Sequence, residues 1–343
     1  MEPRTELAVE VEQGPRLADA VDRLLAAEPE LPYANFAPIA ARRGAAAAIH
    51  RERWTSGSDV LVARTPGGEP LAAVRLDERA FESAHFGISM ATLERPLAVA
   101  DPVLRLAGLR AVSRAALERA RQRGFVHLAA RASTRDRVAP WVLQDLGAVH
   151  VDTQVSWMAS LTGMPHDDPL PLGLRFESRE RGGFGEIPAA AWKRLAEWSG
   201  RAFDRGPLVF DLTLPHERAL RVYEAWTERV MTGAWADAVL LVWDRDEIVA
   251  FISMLEMPEV SREAGAVVCG RGLGATLPEY RGLFTAIQRE MIAARPLGAS
   301  YMENETQVAT IGSINVYAKL GFRYLRSTAT YHLRPSGADP ACA

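Results

Sequence analysis

The feature that most constrains this chain is that its two halves close with the same succession of patterns. Residues 118–132 and 142–157 read "ERARQRGFVHLAARA" and "VLQDLGAVHVDTQVSW", and residues 288–304 and 316–331 read "QREMIAARPLGASYMEN" and "VYAKLGFRYLRSTATY". Each pair gives a helix end, an apolar strand, a second helix closed by Leu-Gly and a last strand, because helical apolar spacing gives way to strand-like runs at each glycine. Internal duplication is the economical reading, with a chance sharing of a common element order as the plain alternative. Either way the chain is expected to be a mixed α/β protein built as two domains, which suits a length of 343 residues.

The boundary is expected at "TGMPHDDPLPLG", residues 162–173, where prolines, glycines and aspartates interrupt any periodicity. That places a first domain at residues 1–163 and a second at 172–335. In the first, "DVLVAR" and "EPLAAVRL" are strands joined by "TPGG". Residues 101–124 carry apolar side chains at 103, 106, 109, 112, 116/117 and 120, the pattern of a helix capped by Asp101, with Pro102 in its first turn and Gly124 closing it. In the second, "GLRFES" is a strand, 189–201 and 215–233 are helices, residues 237–257 form a hairpin, and "AGAVVCGRGLGAT" leads into a helix over 283–295. "FRYLRSTATYHL" is expected to finish that domain.

A formal charge of −3 leaves no basic footprint for nonspecific nucleic-acid binding, so small molecules are the expected partners. "MEPRTELAVEVEQ" lacks the basic start and apolar core of a secretory signal, and no uncharged run is long enough for a bilayer, so a cytoplasmic location without membrane association is expected. The two cysteines, Cys269 and Cys342, make no disulfide framework, and no ligands cluster for a metal. Cys269, inside an apolar run, reads as a small buried hydrophobe rather than a nucleophile.

Chemistry is concentrated in "ATLPEYRGLFTAI", residues 275–287, a strand entering a helix through a Pro, a Gly and an exposed Arg. The first amides of a helix have no partners and the helix dipole favours an anion there, although any such turn offers the same groups to water. Two separated signals give the turn a context. "LPEYRG", followed some thirty residues later by "NVYAKLGF", resembles the GNAT (GCN5-related) family of acyl-CoA-dependent N-acyltransferases, and the match implies two tandem GNAT-like domains, each a central mixed, mostly antiparallel sheet flanked by helices. A narrower, patchy resemblance runs through "AFDRG", "VYEAWTERVMTG", "TQVATIGSINVYAKLG" and "STATYHLR", and through "ESAHFGISM" and "LQDLGAVHVDTQVSW", to the dTDP-fucosamine acetyltransferases, which acetylate a nucleotide-linked amino sugar.

The resemblance implies acetyl-CoA as acyl donor. Pantetheine would pair with the backbone of Gly274, Ala275 and Thr276, and the diphosphate would lie on the amides of Arg281, Gly282, Leu283, Phe284 and Thr285. Two positions depart from the family pattern: Phe284 stands where a glycine is usual, and Thr310 stands where an Asn commonly precedes the helix Tyr by seven residues. Amide formation from a thioester needs a neutral amine near a polarised carbonyl and a proton for the departing thiolate. Tyr317 is the expected proton donor, with packing of its helix as the alternative. Glu303 and Glu305 alternate with Asn304 and so face one side, which makes them candidate bases, and Glu256 is a third. Solvated or ion-paired carboxylates are the ordinary alternative for all three. Tyr223, Trp226 and Arg229, spaced by three on a helix, are the candidate acceptor contacts, against the reading of two core aromatics and a solvated arginine.

The first half offers no comparable turn, because Asp101 would repel a diphosphate and Pro102 removes an amide. It reads as a degenerate copy, and His85 in "ESAHFG" reads as structural. The expectation is thus an N-acetyltransferase acting on the primary amine of a small molecule. A different donor, including an acyl carrier protein, an amino acid or aminoglycoside acceptor, and a noncatalytic coenzyme-binding protein stay open.

Overall fold

In a computed structural model the protein is described over residues 7–29, 31–42, 44–55, 59–163, 173–184 and 187–335; residues 164–172 of the expected linker lie outside that range. Two compact units emerge, Met1–Gln154 with Arg326–Ala343, and Val155–Leu325. They do not follow the halves of the chain, because the last strand is divided between them.

The first unit runs β1 (Ala8–Glu12), α1 (Gly14–Ala27), α2 (Ala37–Ala40), α3 (Ala45–Thr55), β2 (Asp59–Arg64), β3 (Pro70–Glu78), α4 (Ala80–Phe86), β4 (Met90–Leu93), β5 (Leu97–Ala98), α5 (Pro102–Gln122), β6 (His127–Ser133), α6 (Ala139–Asp145) and the start of β7 (Val149–Ser160). Antiparallel pairing joins β1, β2, β3 and β4, and β4 then pairs in parallel with β6, from Met90↔His127 to Leu93↔Ala130. The 21-residue α5 supplies the crossover that a parallel pair requires. Asp101 is its N-cap as expected, accepting from the amides of Val103 and Leu104 at 3.0 and 2.9 Å. Beyond its first turn α5 buries the expected face, Leu109, Val112, Ala116, Leu117 and Ala120; in the first turn Val103 is instead 75% exposed, while Arg105 is inside, bonded to Glu28 and Asp136.

The second unit runs from the end of β7 through β8 (Leu174–Glu180), α7 (Ala189–Ala202), α8 (Pro207–Phe210), α9 (His216–Met231), β9 (Ala238–Asp244), β10 (Glu247–Glu256), α10 (Pro258–Ala264), β11 (Val268–Thr276), a 3₁₀ turn (Pro278–Leu283), α11 (Phe284–Ala294), β12 (Tyr301–Gln307), α12 (Ile311–Lys319) and the start of β13 (Arg323–Leu333). Its sheet order is β7-β12-β11-β10-β9-β8. Continuous apolar runs make β9 and β10 buried on both faces. Helix α9 buries Ala219, Val222, Tyr223, Thr227 and Val230, the three-and-four spacing of one helical face. It approaches α7 closely, since a Cβ on Gly200 would stand 3.0 Å from the Leu220 carbonyl oxygen.

The strand after α6 and the strand after α12 have exchanged roles. In β13, residues 328–333 pair antiparallel with β6, from Thr328↔Ser133 to Leu333↔Leu128, inside the first unit. The end of β7 lies beside β12 in the second, where the Leu161 amide donates to Ser300 at 2.9 Å and the Ser156 hydroxyl to Glu305 at 2.7 Å.

Candidate functional site

The site is built on a parting of two strands. β11 and β12 run parallel over only three residue pairs, Val268↔Tyr301, Cys269↔Met302 and Gly270↔Glu303. Past Gly270, β11 continues to Thr276 along β10 alone, with Ile252↔Gly274, Phe251↔Ala275 and Ala250↔Thr276 in register. A bulge marks the divergence. Between Ile252 and Met254 the single residue Ser253 faces the two residues Gly272 and Leu273. Its hydroxyl, fully buried, accepts from the Leu273 amide at 2.8 Å and donates to the Leu273 carbonyl at 2.9 Å, satisfying both groups that the bulge takes out of the ladder. Gly272 leaves room for this clasp, because a Cβ there would stand 2.5 Å from the Ser253 oxygen.

β11 ends against α7 and a short turn. The Trp198 indole donates to the Thr276 carbonyl at 3.0 Å, and the Leu277 amide donates to Val249 at 2.9 Å. The 3₁₀ turn Pro278–Leu283 follows, so α11 begins at Phe284, one residue later than the sequence pattern suggested. In a 3₁₀ turn each amide from the fourth residue on donates three residues back, and the Phe284 N–H indeed donates to the Arg281 carbonyl. The Phe284 amide, one of those expected to meet a diphosphate, is thus used within the turn. Thr285 sits in the first turn of α11. Gly282 faces open space. The Phe284 ring turns inward to pack on the core, 6.4 Å from Tyr317, rather than across the turn.

Arg281 is exposed, its guanidinium 5.5 Å from the Trp198 ring, and among the described residues it has no carboxylate partner. Arg194 beside it is engaged by Glu279 and Glu247. A groove of about 430 Å³ adjoins this turn, lined by Trp198, Arg201, Arg221, Glu224, Leu277 and Pro278 among others. Burial, then the nearby Glu197 carboxylate, raises the pKa of Glu224. Trp198 and Glu224 were not singled out from the sequence. A tryptophan and a glutamate on amphipathic helices carry no mark of the turn they face.

The candidate catalytic residues separate into two faces. Leu255, Gly270 and Glu303 form one row across the sheet, and Glu256, Cys269 and Met302 form the next, so Glu256 leaves on the face opposite Glu303. Glu303 and Glu305 share a face, as their alternation required. Glu303 is 2% exposed, while Glu305 is exposed and accepts from Ser156. Asn304, on the other face, donates to Gln288 of α11 at 3.4 Å, tying helix to strand beside the parting. Tyr317 is wholly enclosed, with the rings of Phe284 and Phe322 at 6.4 and 5.6 Å. Thr310 is the residue before α12, without a side-chain capping bond. Cys269 is buried and its thiol is pushed up to about 12, by burial first and then by Glu256, so it stays protonated and inert.

The candidate acceptor residues do not form one external face. Tyr223 is buried, stacked on Phe203 at 4.9 Å with its edge toward Trp226 at 5.0 Å, and Gly206 fits closely against its hydroxyl. Trp226 is half-buried against Trp235, and Arg229 is exposed. In the first unit the capping of α5 by Asp101 occupies the amides that an anion would need, and His85 is held by a 2.8 Å bond to the Phe81 carbonyl.

No protein-family model matches the chain, and no curated protein matches it in sequence. In three dimensions it is similar to a GCN5-related N-acetyltransferase from Sphaerobacter thermophilus, with 17% identity, a TM-score of 0.60, and 98% of this chain and 97% of that one covered. It is similar also to a tandem GNAT protein from the clavulanic acid biosynthesis pathway, at 15% identity and a TM-score of 0.52, over 97% and 100% of the two chains. A third likeness is the GCN5-related glucosamine N-acetyltransferase region of a fungal multi-domain GH3 β-N-acetylglucosaminidase, at 14% identity and a TM-score of 0.57, over 97% of this chain and 38% of that one. The chain has the fold of the GCN5-related N-acetyltransferases. More particularly, it has that fold in its tandem form.

Proposed function

We propose that the protein is an acyl-CoA-dependent N-acyltransferase, with acetyl-CoA as donor, that acts on the primary amine of a small molecule in its second unit. The observation that carries this reading is the parting of β11 from β12 beyond Gly270, clasped open by Ser253. It leaves Gly274 and Ala275 on a strand edge suited to an extended, amide-bearing arm such as pantetheine, and it leads to an exposed arginine suited to a diphosphate. The Thr276 carbonyl is already bonded to Trp198, so its amide is the group left for that arm.

In the reaction the amine nitrogen attacks the thioester carbonyl, the C–S bond breaks, and the thiolate takes a proton. We assign that proton to Tyr317. Glu303, in register with the last paired residue Gly270, is the base we favour over Glu305 and over Glu256, which stands on the opposite face of the sheet from Glu303. For the acceptor we put an amino sugar first, nucleotide-linked in its most specific form, the class suggested by the sequence resemblance and by the glucosamine N-acetyltransferase region. Trp226 and Arg229 are its assigned contacts, and Tyr223 supports them from the core.

Calorimetric titration with acetyl-CoA tests the coenzyme site. Arg281→Glu should weaken binding about tenfold to a hundredfold through loss of an ion pair and gain of repulsion. Val103→Glu, an exposed change at the equivalent helix start of the first unit, should leave it intact. Undiminished affinity in Arg281→Glu sinks the site. A panel of amines followed by thiol release then identifies the acceptor, and activity on amino acids or aminoglycosides but on no amino sugar rejects the amino-sugar class alone.

A further inference from the structure

Two amide side chains stand in the interior of the second unit, beside the parting of β11 and β12. Gln288, one turn into α11, and Asn304, the first residue of β12 beyond the last ladder pair Gly270↔Glu303, are both 0% exposed. Their surroundings are apolar: Ile287 and Met291 on the helix and Met302 on the strand are equally enclosed. Gln288 comes four residues after Phe284, about 6 Å along the helix axis from its start. The pair therefore flanks the span between the turn that carries Arg281 and the last paired rung, the span that a donor's arm would cross.

Each amide brings one carbonyl and one NH₂ group into this enclosure, and the two serve each other only once. Asn304 Nδ2 donates to Gln288 Oε1 at 3.4 Å, beyond the usual range for such a bond, and among the described residues Gln288 Nε2 and Asn304 Oδ1 have no hydrogen-bond partner. Turning both amides over exchanges the roles but again leaves one donor and one acceptor unserved. Enclosing such groups is costly, and a contact whose whole task was to hold helix to strand would be better made by two apolar side chains.

We propose that Gln288 and Asn304 grip an amide of the donor's pantetheine arm, with Gln288 Nε2 donating to its carbonyl and Asn304 Oδ1 accepting from its N–H. This rests on the acyl-CoA reading and adds two residues to it. A secondary amide offers one acceptor and one donor, the complement of what the pair leaves over, whereas a diphosphate has no N–H to give and a hydrocarbon chain has neither group. The backbone of Gly274 and Ala275 aligns the arm along β11, and the two side chains hold it from β12 and α11. The pair reads the arm itself rather than the adenosine, so it serves a carrier-borne phosphopantetheine as well as the free coenzyme.

Calorimetry on the full chain tests it, with acetyl-CoA and with adenosine 3′,5′-bisphosphate, which lacks the arm. Gln288→Met and Asn304→Leu, each close in shape to the residue replaced, should raise the dissociation constant of acetyl-CoA about three- to tenfold and leave that of the bisphosphate unchanged. Melting supplies a second readout. Each single variant leaves the other amide wholly unserved and should melt below wild type, whereas the double variant removes every unserved group and should melt at or above it while binding acetyl-CoA most weakly of all. A wild type that binds no acetyl-CoA overturns the donor reading and this one with it. A wild type that binds, with affinity unchanged in the double variant, overturns this one alone. So does a double variant that melts well below wild type, since the pair is then a tie between helix and strand, and so do equal losses for acetyl-CoA and the bisphosphate. If the single variants do not fold, or the bisphosphate binds too weakly to measure, the affinity and melt of the double variant decide.

Discussion

The clasp at the β11 bulge makes a quantitative prediction about two residues that are nineteen positions apart in sequence. Ser253→Ala removes one oxygen that serves two buried backbone groups, the amide and the carbonyl of Leu273. Each group left unsatisfied costs about 1–3 kcal/mol, so the single change should cost roughly 2–6 kcal/mol. At roughly 2–4 °C per kcal/mol for a unit of this size, the melting transition should fall by roughly 4–24 °C. Gly272→Ala should also destabilise, by about 1–3 kcal/mol, because its new Cβ would stand 2.5 Å from the Ser253 oxygen. With that oxygen gone the nearest side-chain atom is the Cβ of residue 253 at 3.6 Å, an ordinary contact. The alanine at 272 should therefore add little in the Ser253→Ala background, and the double variant should be more stable than the sum of the singles by about 1–3 kcal/mol. Calorimetric melting of the four proteins measures this. Additive losses would refute the geometry of the clasp, and a Ser253→Ala protein as stable as wild type would refute its energetic role.

Tyr317→Phe should retain acetyl-CoA affinity and lower turnover about a hundredfold, the scale for losing a general acid; a calorimetric titration beside steady-state kinetics and a melt checks it, and normal turnover returns the residue to packing. Arg64→Met should destabilise the first unit by about 3–5 kcal/mol in urea titration, because it removes the two bonds, 2.7 and 2.8 Å, that Arg64 makes to the buried Glu12 and leaves that carboxylate with Arg16 at 3.5 Å. Asp136 is drawn below its ordinary value of 3.8: burial pushes it up, but the hydrogen bond and charge of Arg105, with the amides of Ala139 and Val138, overcome that. Its contribution to stability is therefore whole above about pH 4 and is lost as pH falls from there through the lower folded value. In Asp136→Asn the acid limb of stability against pH should flatten over that interval.

The local rules were legible wherever a residue answers to its own neighbours. Asp-Pro before an apolar run became the capped start of α5, and the Pro-Glu-Tyr-Arg-Gly turn fell between strand and helix as its composition required. Sequence was silent wherever a partner is distant. Arg105 is interior because it meets Glu28, 77 residues away, and Val103, apolar and in phase with the buried face, is left outside in the first turn. Ser253 gives no sign of the bulge, since its partner is the backbone of Leu273 rather than a side chain with a pattern. The aromatic spacing of Tyr223 and Trp226 was visible, but not that Phe203 would cover the first of them. Strand alternation in "VHVDTQVSW" and "RSTATYHL" fixes which side chains face inward, not which neighbouring strand receives them. That is why the exchange of β7 and β13 could not be read from the repeat that produced it.

The exchange sets an order of assembly. Synthesis proceeds from the N-terminus, and domains commonly fold as they emerge, yet the strand that pairs with β6 in the first unit is made last. Val155–Leu325 must be translated in between, a wait of roughly ten to thirty seconds at about 5–20 residues per second. Throughout that wait the β6 edge that β13 will cover has no such partner from its own chain, and an uncovered edge invites pairing with another nascent copy. A stop codon at residue 326, which leaves Val155–Leu325 whole, would therefore damage the first unit rather than the second.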